Sequence, residues 1–329
     1  MHVYKEFIID LLSEILLKNG IREDVANAVV ETLIITEMSG ECAHGLRMFN
    51  TYRTIMQEQK HSQEIHVLKE TPAFSIVNCA CQTGIYTAKK CMQRAINNAA
   101  QHGVHTIFAR NANTFGAAFV YGLQAVREGM ICLLMANTPA QMTVYGGKKK
   151  MLGTNPICFA IPAKDEFPII FDMASSKTAK SRINNAAEHG EIIPNDWGLD
   201  KNGQRTTNPN DVINGGFLLP FADSQKGYGI AMMIDMFAGL LSGAAYLDDV
   251  GFLKSGKMNV GQMFIAIDPK KVYGDDFYAQ VDAYIRKVKG SGDNVRLPGE
   301  NKLKNLLKAE DEGFDIDDQL YRQIMNYEK

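Results

Sequence analysis

From residue 73 onward the chain alternates short apolar runs with amphipathic stretches, and this alternation restricts the fold more than any other feature. The runs at 74–78, 105–109, 131–136, 157–161 and 168–173 have strand length. Helical stretches at 85–101 and 117–127 lie between the first three, and Gly103 and Gly129 are placed to end them. Strands alternating with helices build an α/β core with a partly parallel sheet. The chain ahead of this core reads as helical. Ile8, Leu11, Leu12, Ile15 and Leu16 recur at helical spacing up to Gly20. Val25, Val29, Val30, Leu33 and Ile34 form a second stripe ending near Gly40, and Phe49, Tyr52 and Ile55 a third. Beyond the core come a turn-rich stretch at 195–214, an apolar stretch at 227–247, a strand at 263–267, a helix at 276–288 and a charged tail.

The apolar stretch at 227–247 is interrupted by Asp235 and rich in glycine and alanine, so it reads as a buried core helix and not as a membrane span. A net charge of -2 gives no reason to expect nucleic acid or a membrane surface as a partner. Cys42, Cys79, Cys81, Cys91, Cys132 and Cys158 are scattered, form no CxxC and sit partly in apolar runs. That pattern fits reduced thiols in a reducing compartment. With no second ligand pair near Cys79 and Cys81, no metal is expected. The N-terminus lacks the regions of a signal peptide, and the expected location is cytoplasmic.

Neither a GxGxxG fingerprint after a strand nor a P-loop is present, which disfavours an ordinary Rossmann enzyme. Among the histidines, His2, His61 and His66 read as surface residues, and His102 and His105 as structural at a helix-to-strand turn. His189 sits in a polar loop. His44 differs, because it precedes Gly45 at the junction of two helical segments, where its ring can stand at a cleft. An imidazole is the side chain that exchanges a proton near neutral pH. Arg47, Arg110, Lys180, Arg182 and Lys226 are the candidate cations for a carboxylate or a phosphate.

Taken in order, several segments carry a resemblance: Ala43-His44-Gly45, Thr87-Ala88-Lys89-Lys90, Arg110-Asn111-Ala112-Asn113, Gly153-Thr154-Asn155-Pro156 and Phe171-Asp172-Met173-Ala174. They continue with Trp197-Gly198-Leu199-Asp200, Thr206-Thr207-Asn208-Pro209, Lys226-Gly227-Tyr228-Gly229 and Leu297-Pro298-Gly299. Over nearly the whole chain this series resembles the non-Rossmann malate, L-lactate and L-sulfolactate dehydrogenases, whose relatives include ureidoglycolate dehydrogenase and 2,3-diketo-L-gulonate reductase. The resemblance implies an α/β L-sulfolactate/malate dehydrogenase-like fold with a mixed sheet and a helical N-terminal region. It also implies a homodimer that uses NAD, or NADP, on a small 2-hydroxy or 2-oxo acid. NAD is favoured because no basic cluster is assignable to a 2'-phosphate. The expected divisions are a helical region at 1–72 that carries the histidine and packs with the C-terminal segment, a cofactor- and substrate-binding core at 73–270, and a helical segment at 271–329.

By the same resemblance His44 would be the proton donor and acceptor, and Arg47, Tyr52 and Thr114 would face the substrate. Thr138, Pro168, Ile169, Ile170, Phe171, Asp172, Met173, Ala174, Lys226, Gly227, Gly299, Glu300 and Asn301 would meet the cofactor. Three positions depart from the family pattern. Ala43 replaces a serine, Met48 replaces an arginine that here stands one place earlier, and Thr114 replaces a histidine. Threonine does not titrate near neutrality, so acid–base work falls to His44 alone. Two other readings use the same residues: a non-catalytic nicotinamide- or ligand-binding relative, and an NADPH-dependent reductase of cyclic 2-imino acids.

Overall fold

The apolar stripes of the first residues close three helices, α1 (Lys5–Lys18), α2 (Glu23–Met38) and α3 (Phe49–Glu58). Each turns its stripe inward: Ile8, Leu12 and Leu16 of α1 and Val29 and Leu33 of α2 are fully enclosed. The structure is a computed structural model and describes residues 1–58, 64–252 and 258–327, so His61 lies outside the described residues.

The central sheet has seven strands: β1 (His66–Glu70), β2 (Phe74–Asn78), β3 (Val104–Ala112), β4 (Ile131–Ala136), β5 (Ile157–Ile161), β6 (Ile169–Met173) and β7 (Val260–Ile267). Their spatial order is β1-β2-β3-β7-β4-β5-β6. Only β2 and β3 pair in parallel; every other neighbouring pair in this sheet is antiparallel. The sheet is mixed, as expected, but less parallel than the strand–helix alternation implied. The helix α5 (Ala118–Arg127) makes β3 and β4 point the same way, yet β7 arrives from far along the chain and inserts between them, antiparallel to both. A crossover fixes direction, not adjacency. Helix α4 (Gly84–His102) packs on β3 and β7, and α5 packs on β4 and β5.

A smaller sheet joins Gly198–Leu199, Phe217–Leu218, Met142–Thr143 and Lys150–Leu152. Its own apolar cluster includes Leu152, Leu218 and Ile183 of helix α6 (Lys180–Glu188). Helix α7 (Gln225–Ile234) runs on into a π-helical stretch, Asp235–Leu240. The buried core helix expected here needs correction. Ala231, Ile234 and Ala238 are buried, but Met233, Phe237, Leu240 and Leu241 face solvent. Hydropathy alone cannot separate a core face from an apolar face left open on one chain. Asp235 is buried and accepts hydrogen bonds from Asn137 Nδ2 at 3.1 Å and the Leu247 amide at 3.0 Å. Among the described residues, no helix is long and apolar enough to cross a membrane.

The charged tail folds as α9 (Glu300–Glu312) and α10 (Asp318–Asn326), following α8 (Phe277–Lys289). Helix α9 packs against α2, and His2–Val3 pairs antiparallel with Phe314–Asp315, so the two ends of the chain share one core. His105 is buried and bonded to Ser75 Oγ at 2.9 Å, in keeping with a structural role. None of the six cysteines is in a disulfide.

One glycine ties α4 to the loop that follows β3. A Cβ on Gly84 would lie 2.0 Å from the carbonyl oxygen of Thr114 and 2.4 Å from that of Asn113. Gly84→Ala should therefore lower stability by about 1–3 kcal/mol, because either the helix or the loop must move. Thermal unfolding measures this, and an unchanged Tm would show that the loop yields freely.

Candidate active site

The turn carrying His44 is folded back onto α2. Glu37, buried near the end of that helix, accepts the Leu46 amide on Oε2 at 2.8 Å. A Cβ on Gly45 would sit 2.3 Å from the same oxygen and 3.0 Å from the Glu37 backbone, so only glycine fits there. The His44 amide donates to the Glu41 carbonyl at 2.9 Å, completing the turn. The His44 imidazole is left exposed to solvent and lines a cavity of about 360 Å³.

The cavity walls come from segments far apart in sequence. Residues 114–118 link β3 to α5, 137–139 follow β4, 172–174 end β6, and 179–181 open α6. Asn155 ties the 137–139 wall to α7: its Oδ1 accepts the Thr138 amide at 3.0 Å and its Nδ2 donates to the Ala231 carbonyl at 3.0 Å. Gly153 is pressed against the same point, with its would-be Cβ 2.1 Å from the Thr138 carbonyl oxygen. Thr138 Oγ1 and Thr154 Oγ1 are 3.4 Å apart at the cavity wall. Asn113 braces the opposite loop by donating to the carbonyls of Cys81 and Gln82 at 2.7 and 3.1 Å.

One side of the cavity carries two carboxylates. Asp172 Oδ2 accepts the Phe119 amide at 2.9 Å and lies 3.6 Å from Lys302 Nζ, which is also 2.6 Å from Glu41 Oε1. Burial pushes the Asp172 carboxyl above its usual range; Lys302 pulls it back and Glu41 pushes it up again. The Lys302 ammonium also lies 5.0 Å from the centre of the Phe119 ring, a cation–π contact.

Of the residues expected in the site, the structure brings His44, Thr114, Thr138, Asp172, Met173 and Ala174 to this cavity. Arg47 is exposed and does not line it. Tyr52 is buried behind the 114–118 loop, its hydroxyl donating to the Thr114 carbonyl at 3.5 Å. In β6 the pleat sends Ile170 into the core and leaves Phe171 exposed, stacked on Phe159. Only the end of that strand reaches the cavity, while Pro168 and Ile169 lie further back along it. Pro168 lines a separate groove beside Leu303 and Leu306.

The remaining expected residues lie outside the cavity. Gly299, at φ +81°, packs against the Ile170 carbonyl, and the Ile170 amide donates to the Pro298 carbonyl at 3.2 Å. Glu300 is buried, accepts the Leu297 amide at 3.1 Å and pairs with Lys304 at 2.7 Å; Asn301 is exposed. Lys226 is exposed at the start of α7, where the Gly227 amide already donates to Ser224 Oγ at 3.2 Å. Sequence reasoning missed Glu37 and Lys302, and it named Asn155 only within the Gly153–Pro156 segment of the resemblance, with no role of its own. The glycine after His44 was the one local sign of Glu37's close approach.

A family model described as malate/L-lactate dehydrogenase matches residues 4–325. The malate/(S)-sulfolactate dehydrogenase of Methanothermus fervidus is 33% identical over 95% of this chain and 93% of its own length. The ureidoglycolate dehydrogenase (NAD(+)) of Escherichia coli is 29% identical over 99% of this chain and 95% of its own. Among solved structures, the sulfolactate dehydrogenase from Methanocaldococcus jannaschii superposes with a TM-score of 0.89 at 31% identity, covering 99% of this chain and 96% of that one.

Lys302 is the countercharge for both Glu41 and Asp172. Lys302→Met should cost about 1–3 kcal/mol at neutral pH, since it leaves two carboxylates facing each other in a half-buried setting. A carboxyl raised in the folded state is penalised while ionised, and the penalty disappears once it takes a proton. The cost of the substitution should therefore shrink as pH falls from 7 toward 5. Unfolding of both proteins across that range measures it, and a cost independent of pH would contradict the assignment.

Proposed function

The chain belongs to the malate/L-lactate dehydrogenase family, and from that premise we propose that it transfers a hydride between a nicotinamide cofactor and a small 2-hydroxy or 2-oxo acid. NAD is the favoured cofactor and NADP the second candidate. The observation that carries this reading is the position of His44: an exposed imidazole in a cavity that also takes in the end of β6. The cavity fits the reacting end of such a cofactor. Gly116, Ala117, Ala118 and Ala174 give it shallow apolar walls for a flat ring, and the hydroxyls of Thr114, Thr138 and Thr154 can bond a carboxamide or a substrate oxygen.

A bound nicotinamide supplies or accepts the hydride at the substrate carbon. His44 gives a proton to the substrate oxygen in reduction and takes it back in oxidation. Its turn, held by Glu37 and Gly45, keeps the ring in the cavity without a second titrating group at position 114. Asp172, Met173 and Ala174 border the ring site, and Thr138 faces it from the other wall. A dinucleotide would extend beyond this cavity, and the strand segment Pro168, Ile169, Ile170 and Phe171 with the adjoining Gly299, Glu300 and Asn301 would hold its remainder, with Lys226, beside Gly227 at the start of α7, as the cation for its phosphates.

The substrate belongs to the malate, lactate, 2,3-diketogulonate and ureidoglycolate type. A cytoplasmic location is consistent with six cysteines outside any disulfide. A homodimer is the favoured assembly, because Ile230, Met233, Phe237, Leu240 and Leu241 expose one continuous apolar stripe that a second copy would cover.

Two measurements test these proposals. On a panel of 2-oxo acids and a cyclic 2-imino acid assayed with NADH or NADPH, and of ureidoglycolate assayed with NAD, the purified protein should oxidise NADH with at least one 2-oxo acid. His44→Ala should lower turnover roughly 10²–10⁴-fold with cofactor binding nearly intact. NADH binding without turnover on the whole panel would support a non-catalytic relative, and turnover confined to the imino acid with NADPH would support the imine reductase. By light scattering after gel filtration, the unaltered chain should run as a dimer and Phe237→Asp should shift it toward monomer. A monomeric unaltered chain would remove the dimer.

A further inference from the structure

A 2-hydroxy or 2-oxo acid carries a carboxylate, and a reductase must hold it in a fixed orientation beside the proton donor. Five cations were candidates from sequence. The structure separates them: only Lys180 lines the cavity that His44 lines, while Arg47, Arg110, Arg182 and Lys226 do not. Arg110 is turned toward Gly243, with its guanidinium 3.0 Å from the Cβ position of that glycine.

Lys180 is also uncommitted. Among the described residues neither its Nζ nor the neighbouring Ser181 hydroxyl, which lines the same cavity, has a hydrogen-bond or ion-pair partner. Asp172 and Glu41 share Lys302, but no acidic group acts on Lys180, an exposed side chain whose ammonium partial burial pushes down and which repels the neighbouring Lys150. The cavity is therefore polarised, with carboxylates at the wall served by Lys302 and an unpaired cation where α6 begins. Thr178 Oγ1, in the turn leading into that helix, is buried and has no partner either. An anionic group in this cavity is repelled by Glu41 and Asp172 and attracted to Lys180.

We infer that Lys180, with Ser181 beside it, binds the carboxylate of the 2-oxo acid, the role the sequence had given to Arg47. The inference rests on the proposed reductase reading and names the specificity residue of that site. It makes the substrate's acid group a requirement. Esters or amides of the same acid lose the contact, whereas Lys180→Arg keeps a cation in place.

The test uses the full-length protein with NADH and the substrate analogue oxamate. Lys180→Met should weaken oxamate binding to the NADH complex by about 10- to 100-fold, as expected for loss of a charged hydrogen bond. It should raise KM for the 2-oxo acid by a similar factor, change kcat little and leave the Kd for NADH unchanged, and Lys180→Arg should recover most of the loss. Weaker NADH binding with unaltered oxamate binding would assign Lys180 to a cofactor phosphate and overturn the inference. So would a loss seen with Arg47→Met and absent with Lys180→Met, or failure of the unaltered protein to bind oxamate. Oxamate binding is read without turnover. A protein that binds oxamate through Lys180 but reduces no acid would refute the reductase reading and not this one.

Discussion

The placement of His44 depends on one buried hydrogen bond, from the Leu46 amide to the Glu37 carboxylate at 2.8 Å. A carboxylate taken out of water is costly unless it is bonded, so Glu37 must find a donor, and the chain supplies one by folding the His44 turn onto α2. Gly45 makes that approach possible, because any side chain there would collide with the same carboxylate. The ring of His44 is thus placed by an interaction two residues beyond it and by a helix that ends before it. Asn155 has the matching role on the far wall, fastening Thr138 to α7 through its two side-chain atoms.

Much of the fold was readable because it is written in local periodicity. The strands at Phe74–Asn78, Ile131–Ala136 and Ile157–Ile161 begin and end where their apolar runs do, and α1, α2, α4 and α5 follow their stripes. What was not readable is long-range. The insertion of β7 between β3 and β4 joins residues over a hundred positions apart, and the pairing of His2–Val3 with Phe314–Asp315 joins the two ends. The apolar stretch around Phe237 was taken for core because composition records hydrophobicity without recording which surface covers it.

The site was legible in part for the same reason. A motif names a contiguous run, but only the end of β6 meets the cavity. Of the seven positions from Pro168 to Ala174, only Asp172, Met173 and Ala174 reach the cavity. Arg47 is three residues from His44 and looked like its natural partner, yet it sits on the short helical turn Leu46–Met48 and does not reach the cavity. Lys180 and Lys302 come from helices on other parts of the chain, and no spacing rule connects either to His44.

The proposed function puts His44 beside the reacting carbon of an organic acid, with the nicotinamide ring on its other side. A crystal structure of the protein with NADH and oxamate tests it most directly. The expected result is an imidazole nitrogen of His44 within hydrogen-bonding reach, about 3 Å, of an oxamate oxygen next to the nicotinamide ring. A nicotinamide bound elsewhere, or oxamate held out of reach of His44, would contradict it.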